Sequence, residues 1–178
     1  MKSTPENIAY HAARLLILIK FCGKPRSDPA LYPGVEGRTL LAKLDFFLRY
    51  PIYLKRAALI LNNEDVSAIT SDEINTVESR MIRYLYGPWD NIYYLVLAYL
   101  IGKGLIVVNK KGNTEIFQLS VIGMKKSEEI ALEPSYADLV SRASSVNRLF
   151  SKYSGNRLKE FIYQYFPDVV NKDIGEII

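Results

Sequence analysis

One histidine and one cysteine, His11 and Cys22, are all that this 178-residue chain offers of the two side chains most used as bases, nucleophiles and soft metal ligands. A nucleophile needs a base within hydrogen-bond reach, so a Ser-His or Cys-His pairing would depend wholly on His11. That residue falls inside the first predicted helix and reads as a satisfied or surface histidine. A structural zinc site needs four ligands, which one cysteine and one histidine cannot supply. No spaced acidic motif points to a carboxylate site either. The string Gly-x-x-x-x-Gly-Lys-Ser/Thr is absent, and Gly102-Lys103-Gly104 lies at a helix exit, whereas phosphate is cradled at a helix entrance. The expectation is a chain that is not an enzyme, with no catalytic residue, no metal and no cofactor.

Charge offers a binding chemistry instead. Formal net charge is +4, and the window Lys103 to Lys126 carries an excess of that size, with five lysines (Lys103, Lys110, Lys111, Lys125, Lys126) against one acid, Glu115. Such a local excess suits a phosphate-facing surface. A second set, Arg38, Lys43, Lys55 and Arg56, lies on or near two consecutive predicted helices that would offer a groove-facing surface to double-stranded DNA. The later helix is rich in Leu54, Ala57, Ala58, Leu59, Ile60 and Leu61 and has few side chains that read base edges. Salt-sensitive backbone contact is therefore expected more than sequence readout. Of the 13 tyrosines, Tyr84, Tyr86, Tyr93 and Tyr94 have rings that could stack bases, and are read as core packing with hydroxyls at the edge.

The elements that must position these residues follow from periodicity and punctuation. Asn7 or Thr4 is a candidate cap for a first helix from Ile8 to Cys22, whose dense apolar positions make it central to the core, with Gly23 ending it. Lys24 to Gly37 holds Pro25, Pro29, Pro33, Gly34 and Gly37 and reads as a loop. A second helix, Arg38 to Arg49, stops before Pro51, which suits the first turn of a third helix, Ile52 to Leu61. Asn62 to Asn75 reads as a loop and Met81 to Tyr86 as a strand, with Gly87-Pro88 as punctuation. A fourth helix, Trp89 to Gly102, is apolar on nearly every side and is expected to be buried. Two strands, Leu105 to Val108 and Thr114 to Leu119, flank a Lys110-Lys111-Gly112-Asn113 turn, and Ser120 caps a helix reaching Ala131. After Pro134, Leu139, Ala143, Val146, Phe150 and Tyr153 form a heptad-like stripe, and Leu158, Phe161, Ile162 and Tyr165 a second one, on helices that fold back on the core or dock on a partner. The apolar runs Leu15 to Ile19 and Ile92 to Gly102 fall short of the roughly 20 residues of a membrane span. With no secretory cleavage pattern and an unpaired cysteine, the cytoplasm is the expected compartment, with no membrane contact.

The most specific string is Tyr99-Leu100-Ile101-Gly102-Lys103-Gly104-Leu105-Ile106, then the lysine-rich hairpin, then Phe117-Gln118-Leu119-Ser120 and Gly123. It resembles the end of a winged-helix domain, where a helix closes on leucine and glycine, enters a β-hairpin wing, and leaves through a Leu-Ser/Thr-x-x-Gly step. The expected fold is thus mainly α with a small β-hairpin wing (α+β). It comprises a winged helix-turn-helix core over residues 8–131 and a C-terminal helical extension over 134–178.

Two further strings, Glu36-Gly37-Arg38-Thr39-Leu40-Leu41-Ala42-Lys43-Leu44-Asp45-Phe46-Phe47-Leu48-Arg49-Tyr50-Pro51 and Glu78-Ser79-Arg80-Met81-Ile82-Arg83-Tyr84-Leu85-Tyr86-Gly87-Pro88-Trp89-Asp90, sharpen the likeness. Together with the wing they resemble the small middle component of bacterial ABC-three-component systems, which include the Lamassu-type anti-phage and anti-plasmid defence operons. The resemblance implies a non-enzymatic subunit beside an SMC-like or Rad50-like ATPase and a separate effector, commonly a nuclease. On that reading the stripe Leu139, Ala143, Val146, Phe150 and Tyr153 is a candidate partner surface and the basic wing a candidate DNA contact. The rival is a dimeric winged-helix transcription regulator, with the stripe as its dimer contact and the third helix in the major groove.

Overall fold

The computed structural model describes residues 8–25, 31–63 and 80–178. In chain order the elements are α1 (Ile8–Cys22), β1 (Leu31–Glu36), α2 (Arg38–Arg49), α3 (Pro51–Ile60), β2 (Ile82–Tyr84), β3 (Gly87–Trp89), α4 (Ile92–Gly102), β4 (Ile106–Lys111) and β5 (Thr114–Ser120). They continue with α5 (Val121–Leu132), a 3-10 turn (Pro134–Tyr136), α6 (Ala137–Phe150), α7 (Gly155–Tyr165) and α8 (Pro167–Val170). The chain is mainly helical, with a three-stranded antiparallel sheet and a two-stranded hairpin. It divides into two compact units, each assembled from two separated stretches: Met1–Gly37 with Asn91–Ala143, and Arg38–Asp90 with Ser144–Ile178. The expected partition at residues 131 and 134 followed a change of composition, whereas the observed division nests one stretch inside another. The candidate caps Thr4 and Asn7 and most of the Asn62 to Asn75 loop lie outside the described residues.

In the first unit, every residue of α1 from His11 to Ile19 is buried, as its apolar density requires. The helix packs against β1, α4 and α5. β1 corrects the expectation of an irregular loop. It pairs antiparallel with β5, Val35 opposite Phe117 and Glu36 opposite Ile116, in the order β1-β5-β4. Pro33 misled the reading because it cannot donate to a ladder, yet an edge strand with one neighbour accommodates it. β4 and β5 form the expected hairpin, with Ile106 opposite Leu119 and Lys111 opposite Thr114.

In the second unit, α2 and α3 meet at Tyr50-Pro51, with Pro51 in the first helical turn, where its missing N–H costs nothing. A second correction falls at Gly87-Pro88, which forms β3 rather than mere punctuation: Arg83 lies opposite Pro88 and Tyr84 opposite Gly87. Gly87 takes φ +117, open to glycine and strained for other residues. The segment 175–178 runs along β2, with Arg83 N–H donating to Glu176 O at 2.8 Å and Ile178 N–H to Met81 O at 2.9 Å. Tyr50 Oη ties these pieces together, accepting from Met81 N–H at 2.7 Å and donating to Ile178 O at 3.1 Å. The core here is aromatic: the Phe47 ring centroid lies 4.5 Å from that of Phe150 and 5.8 Å from that of Phe166. Among the described residues no helix is long and apolar enough to cross a membrane.

Candidate functional site

The five lysines of the basic window belong to the first unit, and all five are exposed. Lys110 and Lys111 end β4, next to a turn in which Gly112 takes φ +59. Lys111 Nζ lies 3.6 Å from Glu36 Oε1, but its side chain is 71% exposed, so the pair contributes little. Lys126 pairs with Glu129 at 2.9 Å along α5, and Lys103 sits 5.8 Å above the Tyr99 ring.

The Gly-Leu and Leu-Ser-x-x-Gly strings that flank the hairpin act on each other. Gly104 takes φ +66 as the chain leaves α4, a left-handed exit that a side chain would resist. Ser120 Oγ donates to Gly104 O at 2.6 Å and accepts from Gly123 N–H at 2.9 Å, capping α5. A Cβ on Gly123 would overlap the Leu105 carbonyl oxygen. The end of α4 and the start of α5 are therefore joined backbone to backbone at the base of the hairpin.

α4 is a third correction. Burial on nearly every side was expected from its composition. Tyr93, Val96, Leu97 and Leu100 are indeed buried, but Tyr94, Leu95 and Ile101 are 59%, 53% and 46% exposed. With Ala98 they share one helical face, and Val121 and Ile122 are also exposed at the start of α5. An all-round apolar helix satisfies two different surfaces with the same residue types, so hydropathy alone could not reveal the outer one.

Arg38, Lys43, Lys55 and Arg56 belong to the second unit, whereas the hairpin lysines belong to the first. Lys43 does not offer a charge to a duplex: it is 3% exposed, and its Nζ donates to Thr39 O at 3.3 Å. Burial, helped by the nearby Lys159 charge, pushes its amine down to about 8. Arg56 is engaged by Asp168 through two hydrogen bonds, 2.8 and 3.2 Å, and lies 4.9 Å from the Phe166 ring centroid. Tyr53 Oη donates to the same carboxylate at 2.9 Å. Burial and that bond raise the Tyr53 hydroxyl. The Asp168 carboxyl is held low because the bonds from Arg56 and Tyr53 outweigh its desolvation. Arg38 and Lys55 are half-buried.

The C-terminal stripe is covered by the chain itself. Leu139, Ala143, Val146 and Phe150 are buried and Tyr153 is half-buried, so as a free partner surface the stripe is not available. Leu139 and Ala143 belong to the first unit, where Cys22 Sγ donates to Ala143 O at 3.7 Å. Phe150 and Tyr153 belong to the second, with Phe150 5.6 Å from the Phe161 ring.

His11 is buried, with its Nδ1 2.6 Å from Arg14 Nη1, and burial pushes the Cys22 thiol up. Among the described residues no group of three or more His, Cys, Asp or Glu is placed to hold a metal ion. Sequence reasoning missed a buried ionic group in the second unit, where Arg49 donates to both Asp45 and Asp90. The spacing of Asp45 and Arg49, one helical turn apart, was the available signal. No protein-family model, curated protein or solved structure matches the chain.

Proposed function

We propose that this chain is a non-catalytic winged-helix accessory subunit of a multi-protein, DNA-directed assembly. The sequence resemblance makes that assembly a cytoplasmic ABC-three-component, Lamassu-type defence complex, in which an SMC-like or Rad50-like ATPase and a nuclease effector supply the chemistry. The first unit supports the winged-helix reading through its succession of α1, β1, α4, β4 and β5 with strand order β1-β5-β4. In this arrangement α4, rather than α3, is the helix immediately before the wing.

One observation carries the choice of an assembly subunit over a transcription regulator. The helix that would enter the major groove presents Tyr94, Leu95 and Ile101 outward, none of which can make the paired hydrogen bonds that read base edges. Large apolar side chains grouped on one face fit a protein partner. The exposed hairpin lysines then supply backbone contact with duplex DNA beside that partner.

The test is co-expression of the chain with the ATPase and effector encoded beside it. A stable complex is expected, and Tyr94→Glu with Ile101→Glu should release the ATPase while the isolated chain keeps its circular dichroism spectrum. A symmetric dimer that selects a palindromic operator, with no retention of the ATPase, would transfer the reading to the regulator.

A further inference from the structure

We propose that the turn between β2 and β3, together with the outer face of α7, is a stacking platform for single-stranded nucleic acid, separate from the lysine hairpin. Tyr84, Leu85 and Tyr86 cross this turn and are 40%, 53% and 56% exposed, although the tyrosines were expected to pack inward. The turn is fixed from below. Tyr163 Oη on α7 donates to Leu85 O at 3.2 Å, and Arg83 Nη2 donates to Tyr163 Oη at 3.3 Å. Arg83 Nε in turn holds Val170 O at 3.2 Å, which orients the guanidinium 5.6 Å from the Tyr163 ring centroid.

Cations and rings interleave here. Lys159 Nζ lies 5.9 Å from the Tyr86 ring centroid and 5.4 Å from that of Tyr163. Lys43 stands behind them, its Cε 4.0 Å from where a Cβ on Gly87 would sit. Among the described residues no carboxylate forms an ion pair with Lys43, Arg83 or Lys159. The Lys43 amine is lowered chiefly by burial, and to a lesser extent by the Lys159 charge nearby.

Exposed rings alone would suit many partners. A ring such as Tyr86, with a cation over one face and more than half of its surface open, suits a ligand that repeats an aromatic face beside a phosphate, as an unpaired strand does along its length. Paired bases in a duplex keep their faces stacked on each other. The platform therefore accepts a splayed base on Tyr86, with a flanking phosphate meeting Lys159 and Arg83 holding the turn in place.

The full chain is titrated against a labelled oligothymidylate and against a duplex of equal length, with fluorescence anisotropy as the readout. Saturable binding of the oligothymidylate is expected, weakened about fivefold to a hundredfold by Tyr86→Ala and kept by Tyr86→Phe, since stacking needs the ring and not the hydroxyl. Lys159→Glu should weaken it at least as much and Lys159→Arg should restore it. Changing Lys110 and Lys111 to Glu should leave it unaltered, which separates this site from the hairpin. Absence of saturable binding overturns the proposal, as does equal affinity in a Tyr86→Ala chain with an unchanged circular dichroism spectrum. Binding of phosphatidylcholine–phosphatidylserine vesicles in place of the oligonucleotide, lost in the same variants, would also overturn it and assign the turn to a lipid surface.

Discussion

Arg49 Nη1 donates to Asp90 Oδ2 at 2.7 Å, joining the end of α2 to the residue after β3, 41 positions on. The same guanidinium donates through Nε to Asp45 Oδ2 at 2.8 Å, and the Asp45 and Arg49 side chains are wholly inaccessible. Removing one partner of a buried pair leaves the other charge uncompensated, at a cost of about 3–5 kcal/mol. Arg49→Met should therefore lower the urea-unfolding free energy by that order. The double variant Asp45→Leu, Arg49→Met should recover part of the loss, because the wholly buried Asp45 carboxylate is gone and only Asp90, whose side chain is 18% exposed, is left without Arg49. Additive losses would show that the two residues act independently.

Lys43 yields a pH prediction. Its charged form is disfavoured in the folded chain, so between about pH 8 and the ordinary lysine range near 10 the unfolded chain binds more protons. Stability should rise with pH across that window. Below it both states are charged and the penalty is constant. Lys43→Met should raise stability at neutral pH by about 1–3 kcal/mol and flatten the slope from pH 8 to 9.5, read from urea unfolding at several pH values. A slope unchanged by the substitution would mean that Lys43 remains hydrated.

The hairpin lysines give a salt-dependence prediction. Changing Lys110 and Lys111 to glutamate should weaken duplex binding by the assembled complex about equally across unrelated sequences. The slope of log affinity against log salt should fall by about 0.9 for each phosphate that is no longer neutralised. Assembly should survive, because these exposed side chains support little packing. An unchanged affinity and slope would assign the lysines to solvation.

Ser120 and Gly123 should separate in magnitude. Ser120→Ala removes an N-cap oxygen and should cost about 1 kcal/mol, measured by thermal or urea unfolding. Gly123→Ala should cost more. Its new Cβ meets the Leu105 carbonyl, which belongs to the backbone and cannot swing aside as a flexible side chain would. Equal effects would mean that α5 shifts freely against the hairpin base.

What the sequence disclosed depends on how each residue signals its neighbours. α1, α2, the β4–β5 hairpin and the Ser120 cap were legible because periodicity, β-branched runs and capping act over a few residues. β1 and β3 were hidden because Pro33 and the Gly87-Pro88 pair signal breaks locally, while their strand character comes from partners, β5 being some eighty positions away in the case of Val35 and Phe117. Among the candidate cations, the hairpin lysines were placed correctly on the surface. Lys43 was not, since α2 is buried without interruption from Leu41 to Arg49 and takes its charged residues inside with it. The platform residues Tyr86, Lys159 and Tyr163 come from two elements some seventy positions apart, which no local pattern could bring together.

The interleaving of the two units also sets an order of completion during synthesis. The stretch Arg38–Asp90 emerges from the ribosome before Asn91–Ala143, yet its unit needs Ser144–Ile178 to close. The first unit, begun by α1, has all its strands available once Ser120 is made and its whole complement at Ala143. The unit that starts second in the interior of the chain therefore waits longest, with Phe47 lacking Phe150, Phe161 and Phe166 until the last stretch appears. During that interval its apolar α2–α3 pair is open to solvent and to any chaperone or partner that arrives before the closing segment does.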